Sequence, residues 1–504
     1  MILVINFGGQ YSQLITRLVR KCGVYCEIIP FSRLHLPLNS SIRGIILSGG
    51  PSSVYEPNAP DIDENIFALN IPILGICYGA QLIAKKFGGH ISKSKAGEYG
   101  KTEIILEKHS KLFQNITEKT CFMSHSDQIE QLPSEFKITA KTANSPIAAA
   151  ENTFRNFYLV QFHPEVEHTP CGEKIIQNFL HNICKLTNNW EMPSFKEQKT
   201  KEIRQMIGDN KAICAISGGV DSCVAAVLVH NVIGKKLTCI LIDHGLMRKD
   251  EVKNICKTLE VLGLNIICIN ATKRFLARLS GIYDPEQKRK IIGEEFIRVF
   301  EEEAARIGDI KFLIQGTIYP DIVESGLSGA SHIIKSHHNV GGLPADLKLS
   351  ICEPLKELFK DEVRNLGKEL NIPDEIISRQ PFPGPGLAIR IIGKITPKKL
   401  KLVRETDVIL SEEIIKSGLK NEIWQYFTCL LDTKSVGVTG DYRTYGFVVV
   451  VRAITSSNAM TCDWAKLPTE LLNTISTRIV NEVPGINRVV YDITSKPPGT
   501  IEWE

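Results

Sequence analysis

Of the fourteen cysteines in this 504-residue chain, Cys77 stands where a thiol can act as a nucleophile. It occupies Gly75-Ile76-Cys77-Tyr78-Gly79, a G-x-nucleophile-x-G run whose small flanking residues permit a sharp strand-to-helix turn. The helix that follows presents its N-terminus to the sulfur, which favours the thiolate. A base is supplied by Tyr158-Leu159-Val160-Gln161-Phe162-His163-Pro164-Glu165. Side chains two apart on an extended strand share a face, so Glu165 can fix the tautomer of His163. The third part, Ser48-Gly49-Gly50-Pro51, is a glycine turn able to aim a backbone N–H at a developing oxyanion. Thiol, imidazole, carboxylate and donor are the parts of nucleophilic acyl transfer.

A second stretch suits a different chemistry. Ser217-Gly218-Gly219-Val220-Asp221-Ser222 lies between the apolar run 212–216 and a helix-compatible run from Cys223. Two glycines there let several N–H groups converge at a helix N-terminus, which is a cradle for an anion. Ser217 and Ser222 add hydroxyl donors, and Asp221 holds either a Mg²⁺ ion or the loop itself. No lysine follows the glycines, so the Walker A pattern is excluded. At the end of the next strand-like run Asp243 is placed to meet a ribose or metal, with a helix N-cap as the equal alternative. Asp321 and Glu324 share one face of a helical turn, as a surface acid pair or as a pair facing Mg²⁺ and phosphates. Residues 334–344, polar and glycine-rich, read as a lid whose Lys335 supplies the cation the loop lacks.

Short β-rich runs alternate with helical ones through the first four-fifths of the chain. This rhythm predicts an α/β protein: two doubly wound, mostly parallel-sheet domains, at 1–190 and 195–385, followed by a small α/β domain at 386–504. The linker falls at the polar, proline-ended run 188–193. A run with several prolines and glycines, from Arg379 to Arg390, is a rigid non-helical hinge before the last domain. In such sheets functional groups gather at the carboxyl ends of strands.

Composition narrows the function further. Hydrophobic content of 43% and charged content of 23% are globular. No apolar run approaches the ~18 residues a membrane helix needs. A net charge of +4 with dispersed lysines argues against a nucleic-acid partner. The cysteines include no C-x-x-C pair, so neither a zinc ribbon nor a disulfide framework is expected. Apart from Cys77 they read as small buried hydrophobes in a reducing, cytoplasmic compartment.

With these residues assembled, two resemblances follow. Ser217–Ser222 after a strand resembles the pyrophosphate loop of the N-type ATP pyrophosphatases. Residues 1 to about 190 resemble the class I, triad glutamine amidotransferases. The second resemblance implies that Cys77 attacks the side-chain amide of glutamine, that Gly50 and Tyr78 supply backbone donors to the oxyanion, and that Gln81, Ser124, His125 and Asp127 help hold the substrate. Segments 316–325 and 334–344, the hinge and the tail 496–504 together resemble the fused GMP synthetase family, with Cys223 where a serine or another small residue is expected. That likeness implies ATP with Mg²⁺, Ser217–Ser222, Asp243 and Lys335 toward ATP, and homodimerisation through the C-terminal domain. It implies that Arg390 and Lys496, with Arg379 as an alternative, meet the phosphate of xanthosine 5′-monophosphate (XMP), and Glu502 its ribose or base.

Overall fold

The computed structural model describes residues 1–107, 110–327, 349–456 and 461–504. They form two compact units, one built from Met1–Phe195 with a short piece beginning at Val323, the other from Lys196–Ile322 and the chain that follows to Glu504. Lys335, His337, His338 and the rest of the expected lid lie outside the described residues, as does the side chain of Glu324.

The first unit contains strands β1 (Ile2–Asn6), β2 (Cys26–Pro30), β3 (Gly44–Leu47), β4 (Ile73–Ile76), β5 (His90–Glu103), β6 (Ile105–Leu106), β7 (Thr120–Gln131), β8 (Lys137–Lys141), β9 (Ala149–Asn152) and β10 (Phe157–Val160). Eight of them make one sheet in the order β2-β1-β3-β4-β10-β9-β8-β6. Pairing is parallel from β2 to β10 and antiparallel beyond. β1, β3, β4 and β10 are buried along their whole length, as parallel strands covered on both faces must be. Register then decides function: Leu47 pairs with Gly75 and Ile76 with Val160, so the three strands end side by side.

β5 and β7 form a separate antiparallel hairpin that the apolar pattern of the sequence conceals. The inward face of β7 alternates correctly, but two of its members are His125 and Asp127. Both are polar because they border a cavity.

In the second unit β11 (Lys211–Ile216), β12 (Leu237–Asp243), β13 (Asn265–Asn270), β14 (Ile310–Ile314) and β15 (Ser350–Cys352) form a parallel sheet in the order β13-β12-β11-β14-β15. The chain winds outward in both directions from β11, so the crevice between β11 and β14 is the switch point where such sheets hold ligands. A second layer follows. β16 (Gln425–Thr439) and β17 (Tyr442–Thr455) make a long antiparallel hairpin, extended by β18 (Asp463–Trp464) and by β19 (Ile486–Tyr491), which runs parallel to β17. One apolar core, including Ile213, Ile240, Phe300, Leu387, Val403, Val449 and Ile479, runs through both layers.

Cys256 and Cys268 are joined by a disulfide, which corrects the expectation of inert, buried thiols for these two. The helix Glu251–Val261 turns straight back into β13, and this reversal brings the two positions together. The other twelve cysteines, fourteen less two, are free and buried. Among the described residues no helix is long and apolar enough to cross a membrane.

The C-terminal tail is docked by buried cations. Arg452, fully buried, donates to the carbonyls of Thr494 (2.6 Å) and Thr500 (3.1 Å). Lys288, also fully buried, pairs with Glu504 and donates to the Ile391 carbonyl at 2.9 Å. Arg390, fully buried, meets Glu502 in a two-point ion pair (Nε–Oε2 3.1 Å, Nη2–Oε1 2.9 Å) and lies 4.1 Å from the Phe427 ring centroid. Burial alone would make the guanidinium easier to deprotonate, but Glu502 outweighs it and holds the proton more firmly than usual. Removing one member of such a pair strands a charge in the core, at a cost of about 3–5 kcal/mol. Glu502→Leu is therefore expected to lower the urea midpoint of the second unit markedly, while Trp503→Ala, half-exposed beside it, lowers it less. Equal midpoints for the two variants would show that the ion pair does not secure the tail.

Candidate active sites

The first site forms at the adjoining ends of β3, β4 and β10. Cys77 leaves β4 with φ 50° and ψ −106°, a conformation that costs a non-glycine residue about 1–3 kcal/mol and persists only when its surroundings enforce it. Here the enforcing contacts are backbone hydrogen bonds on both sides: Cys77 N–H donates to the Val160 carbonyl at 2.8 Å and Gly79 N–H to the Ser48 carbonyl at 3.1 Å. No side chain is tolerated at the latter position, since a Cβ on Gly79 would lie 2.4 Å from the Leu47 carbonyl oxygen. The helix Tyr78–Lys86 then starts at once.

His163 follows β10 and places its Nδ1 2.8 Å from Glu165 Oε1, which fixes the tautomer and leaves Nε2 for the sulfur. Thr169 Oγ1 donates to the His163 carbonyl at 2.7 Å, and the ring of Tyr11 meets the imidazole edge-on at 5.1 Å between centroids. Burial opposes charging of His163, but the Glu165 carboxylate and a hydrogen bond with Cys77 outweigh it and hold the imidazole well above its ordinary range. The imidazole is thus set up to carry its proton beside the Cys77 sulfur.

These residues border a cavity of 320 Å³ that also includes Gly50, Tyr78, Gln81, Ser124, His125 and Asp127. All nine residues expected at the glutaminase centre are therefore brought together. Among the described residues the N–H groups of Gly50 and Tyr78 have no protein acceptor. Asp127 accepts from Ser53 and, at 3.0 Å, from Tyr55. Burial pushes His125 down to about 4, so it is a neutral ring at physiological pH. Neither of its nitrogens has a hydrogen-bond partner among the described residues. Ser53, Tyr55 and Tyr11 carry no motif of their own, and only the fold delivers them here.

The second site lies at the end of β11. Gly218 takes φ 79°, open to glycine and strained for other residues, and the helix Val220–Ile233 begins two residues on. Ser217 Oγ accepts from Gly219 N–H at 3.3 Å and lies 3.3 Å from Ser222 Oγ. Ser217, Gly219, Asp221 and Ser222 line a cavity of 440 Å³ with Gln315, Gly316, Asp321, Arg289 and Lys360. Gly218 is turned away against Ile255 and the Arg379 guanidinium, and Val220 is buried at the start of the helix.

Two basic residues of this cavity, Lys360 and Arg289, are not legible as site residues in the sequence. Lys360 forms an ion pair with Asp221 and starts the helix that follows β15. Its position after the carboxyl end of a strand is the only signal, and a surface lysine has the same appearance.

The other candidates of this unit are held as follows. Asp243 does not line the cavity: its Oδ1 accepts from Gly245 N–H at 2.9 Å, holding the turn after β12. Arg390 and Glu502 are brought together, but on each other. Lys496 exchanges main-chain hydrogen bonds with Cys462. Arg379 is bound to the Gly218 carbonyl and to Glu251, beneath the glycine loop.

The first site and its sheet define a class I, triad amidotransferase, and the second a pyrophosphatase-type nucleotide loop in the same chain. The comparisons agree with that class: residues 3–183 match the family model described as glutamine amidotransferase class-I, 195–301 that described as NAD synthase, and 412–503 that described as the GMP synthase C-terminal domain. The glutamine-hydrolyzing GMP synthase of Clostridium perfringens is 58% identical over 507 residues, covering 100% of this chain and 99% of that protein. Those of Clostridium kluyveri and Clostridium botulinum strain Langeland are 56% and 57% identical with the same coverage. The chain belongs to the glutamine-hydrolysing GMP synthase family.

The electrostatics of the triad generate a test. His163 binds its proton more tightly folded than unfolded, so the interaction stabilises the first unit fully below about 6.5 and is lost as pH rises through the folded value. Glu165→Gln should therefore cost most stability between about pH 5 and 6.5 and progressively less above. It should also slow alkylation of Cys77 by iodoacetamide at neutral pH roughly ten-fold. A stability loss that grows with pH would contradict the assignment.

Proposed function

We propose that this chain aminates XMP to GMP with ammonia released from glutamine, in a reaction driven by cleavage of ATP to AMP and pyrophosphate. In the first unit the Cys77 thiolate attacks the glutamine carboxamide, and the oxyanion is received by the N–H groups of Gly50 and Tyr78. His163 gives its proton to the departing ammonia, then takes one from the water that hydrolyses the thioester. In the second unit the loop Ser217–Ser222 holds the β,γ-phosphates while the adenylyl group passes to the C2 oxygen of XMP. Ammonia attacks that carbon and AMP leaves. The observation that carries the reading is the coexistence, in one chain matched end to end by GMP synthases, of the assembled triad and a lysine-free glycine loop at a strand-to-helix turn.

The loop fits a magnesium ion. Asp221 Oδ1 is buried without a hydrogen-bond partner among the described residues, while Oδ2 pairs with Lys360. Mg²⁺ is commonly held by one or two carboxylates together with phosphate oxygens and water. The ion would supply charge neutralisation on the phosphates. Lys360 and Arg289 add to the cationic wall, and Lys335 joins them in this proposal.

For XMP we assign the second layer at 386–504, as a functional part distinct from the loop-bearing sheet, with Lys496 as a candidate contact and with Arg390 and Glu502 as candidates that would have to open their mutual ion pair to reach the nucleotide. We further propose a homodimer through the β16–β17 hairpin, whose Val438, Tyr442 and Tyr445 are 77%, 80% and 67% exposed. Large apolar side chains grouped at a hairpin end suit an isologous contact. A cytoplasmic site of action is supported by the twelve free cysteines, with the Cys256–Cys268 disulfide the one observation against it.

Cys77→Ala is expected to abolish glutamine-dependent GMP formation and to leave ammonium-dependent formation intact. Asp221→Ala should do the reverse to the two halves, removing ammonium-dependent synthesis while glutaminase turnover survives. Products scored as AMP, pyrophosphate and GMP in equal amounts support the reading, and ADP with orthophosphate refutes it. In sedimentation, Tyr442→Ser with Tyr445→Ser should shift the chain toward monomer; an unchanged mass would sink the hairpin interface.

A further inference from the structure

Gln161 ends up beside the nucleophile, although the mechanism above gives it no part. It directly follows β10 and is 1% exposed, and its main-chain N–H is spent on the Ala148 carbonyl at 2.8 Å. Its carboxamide lies between two residues of the glutaminase cavity. Nε2 is 3.6 Å from Cys77 Sγ, and Oε1 is 3.2 Å from Gln81 Nε2.

Which end of the amide faces the sulfur is fixed by a chain of acceptors. The main-chain carbonyl of Asp127 can only accept, and Gln81 lies 2.8 Å from it, so the Gln81 group there is the NH₂. The atom of Gln161 that meets the same NH₂ must then be its oxygen. Its own NH₂ is left pointing at Cys77. A buried N–H directed at sulfur favours the thiolate, because hydrogen bonds to a charged form stabilise that form.

We propose that Gln161 is a positioning residue for the Cys77 thiolate, held in its donating orientation by Gln81 and the Asp127 carbonyl. This rests on Cys77 being the glutaminase nucleophile. The sulfur then has two donors with different behaviour. His163 gives up its proton during turnover, whereas the Gln161 amide does not titrate. When water attacks the thioester, a C–O bond forms, the C–S bond breaks and His163 takes the proton of the water. The sulfur returns as an anion with the amide still in place.

The test uses the full-length chain with Gln161→Met, which keeps the length and removes the donor, and Gln161→Glu, which keeps the shape and sets a carboxylate against the sulfur. Iodoacetamide alkylation of Cys77 is followed across pH 5–9 by mass spectrometry of its peptide. The expected result is a midpoint about one pH unit higher in Gln161→Met and at least as high in Gln161→Glu. Glutaminase kcat should fall roughly ten-fold with KM for glutamine unmoved. Profiles superimposable on the parent's, with glutaminase lost in a separate Cys77→Ala variant, overturn the role of Gln161 and leave the nucleophile standing. Glutaminase surviving in Cys77→Ala overturns both. A change confined to KM assigns Gln161 to holding Gln81 and also overturns the proposal.

Discussion

Both chemical sites depend on one constraint: a parallel strand must leave its sheet and become a helix within two or three residues. The backbone cannot do so in ordinary strand or helix conformations, and at each site one residue takes a positive φ to make the turn, Cys77 in the first unit and Gly218 in the second. The two solutions differ in an instructive way. At Gly218 the residue without a side chain absorbs the conformation at little cost, and the turn gathers N–H groups at a helix N-terminus. At Cys77 a side chain is kept in spite of the strain, and the turn serves to hold a sulfur out from the sheet. What enforces the strained version is the hydrogen bond from Cys77 N–H to the Val160 carbonyl, with the Gly79 N–H to Ser48 carbonyl bond beside it.

The Cys77–Val160 bond also links the candidate nucleophile to its candidate base. Val160 is the last residue of the strand that leads to His163, and it pairs in register with Ile76. A slip of one residue in this pairing would send every side chain beyond it to the opposite face. The triad therefore requires no special loop to assemble it. It follows from the pairing of three buried strands, with Glu165 and Tyr11 completing the surroundings of the imidazole.

How much of this was legible in the sequence divides along physical lines. Cys77, His163 and Glu165 could be read because each sits at a strand end with a fixed local spacing, and the glycine loop because its backbone needs are written in residue type. The alternation of runs likewise forecasts both parallel sheets. What remained hidden came from contacts distant in sequence or from polar residues in buried positions. The β5–β7 hairpin escapes because His125 and Asp127 occupy its inward face. Lys360 escapes because a lysine at a helix start resembles any solvated one, and only folding brings it to Asp221. Arg390 enters only through the resemblance, as a candidate for the XMP phosphate, and its full burial is not legible because its partner Glu502 lies more than a hundred residues away. The Cys256–Cys268 link escapes for the same reason: only the reversal from helix to edge strand brings the two positions together.

The burial of the free thiols has a practical side. Burial pushes Cys22, Cys121, Cys223 and Cys239 up to about 12 and Cys171 and Cys352 up to about 11, and drives Cys184, Cys214 and Cys429 upward as well. Only Cys77 has an imidazolium at its side among the described residues. Nine of the twelve free thiols would thus be poor targets for a small electrophilic drug or covalent probe, and selectivity for Cys77 over them would come from the protein's own architecture with little demanded of the reagent.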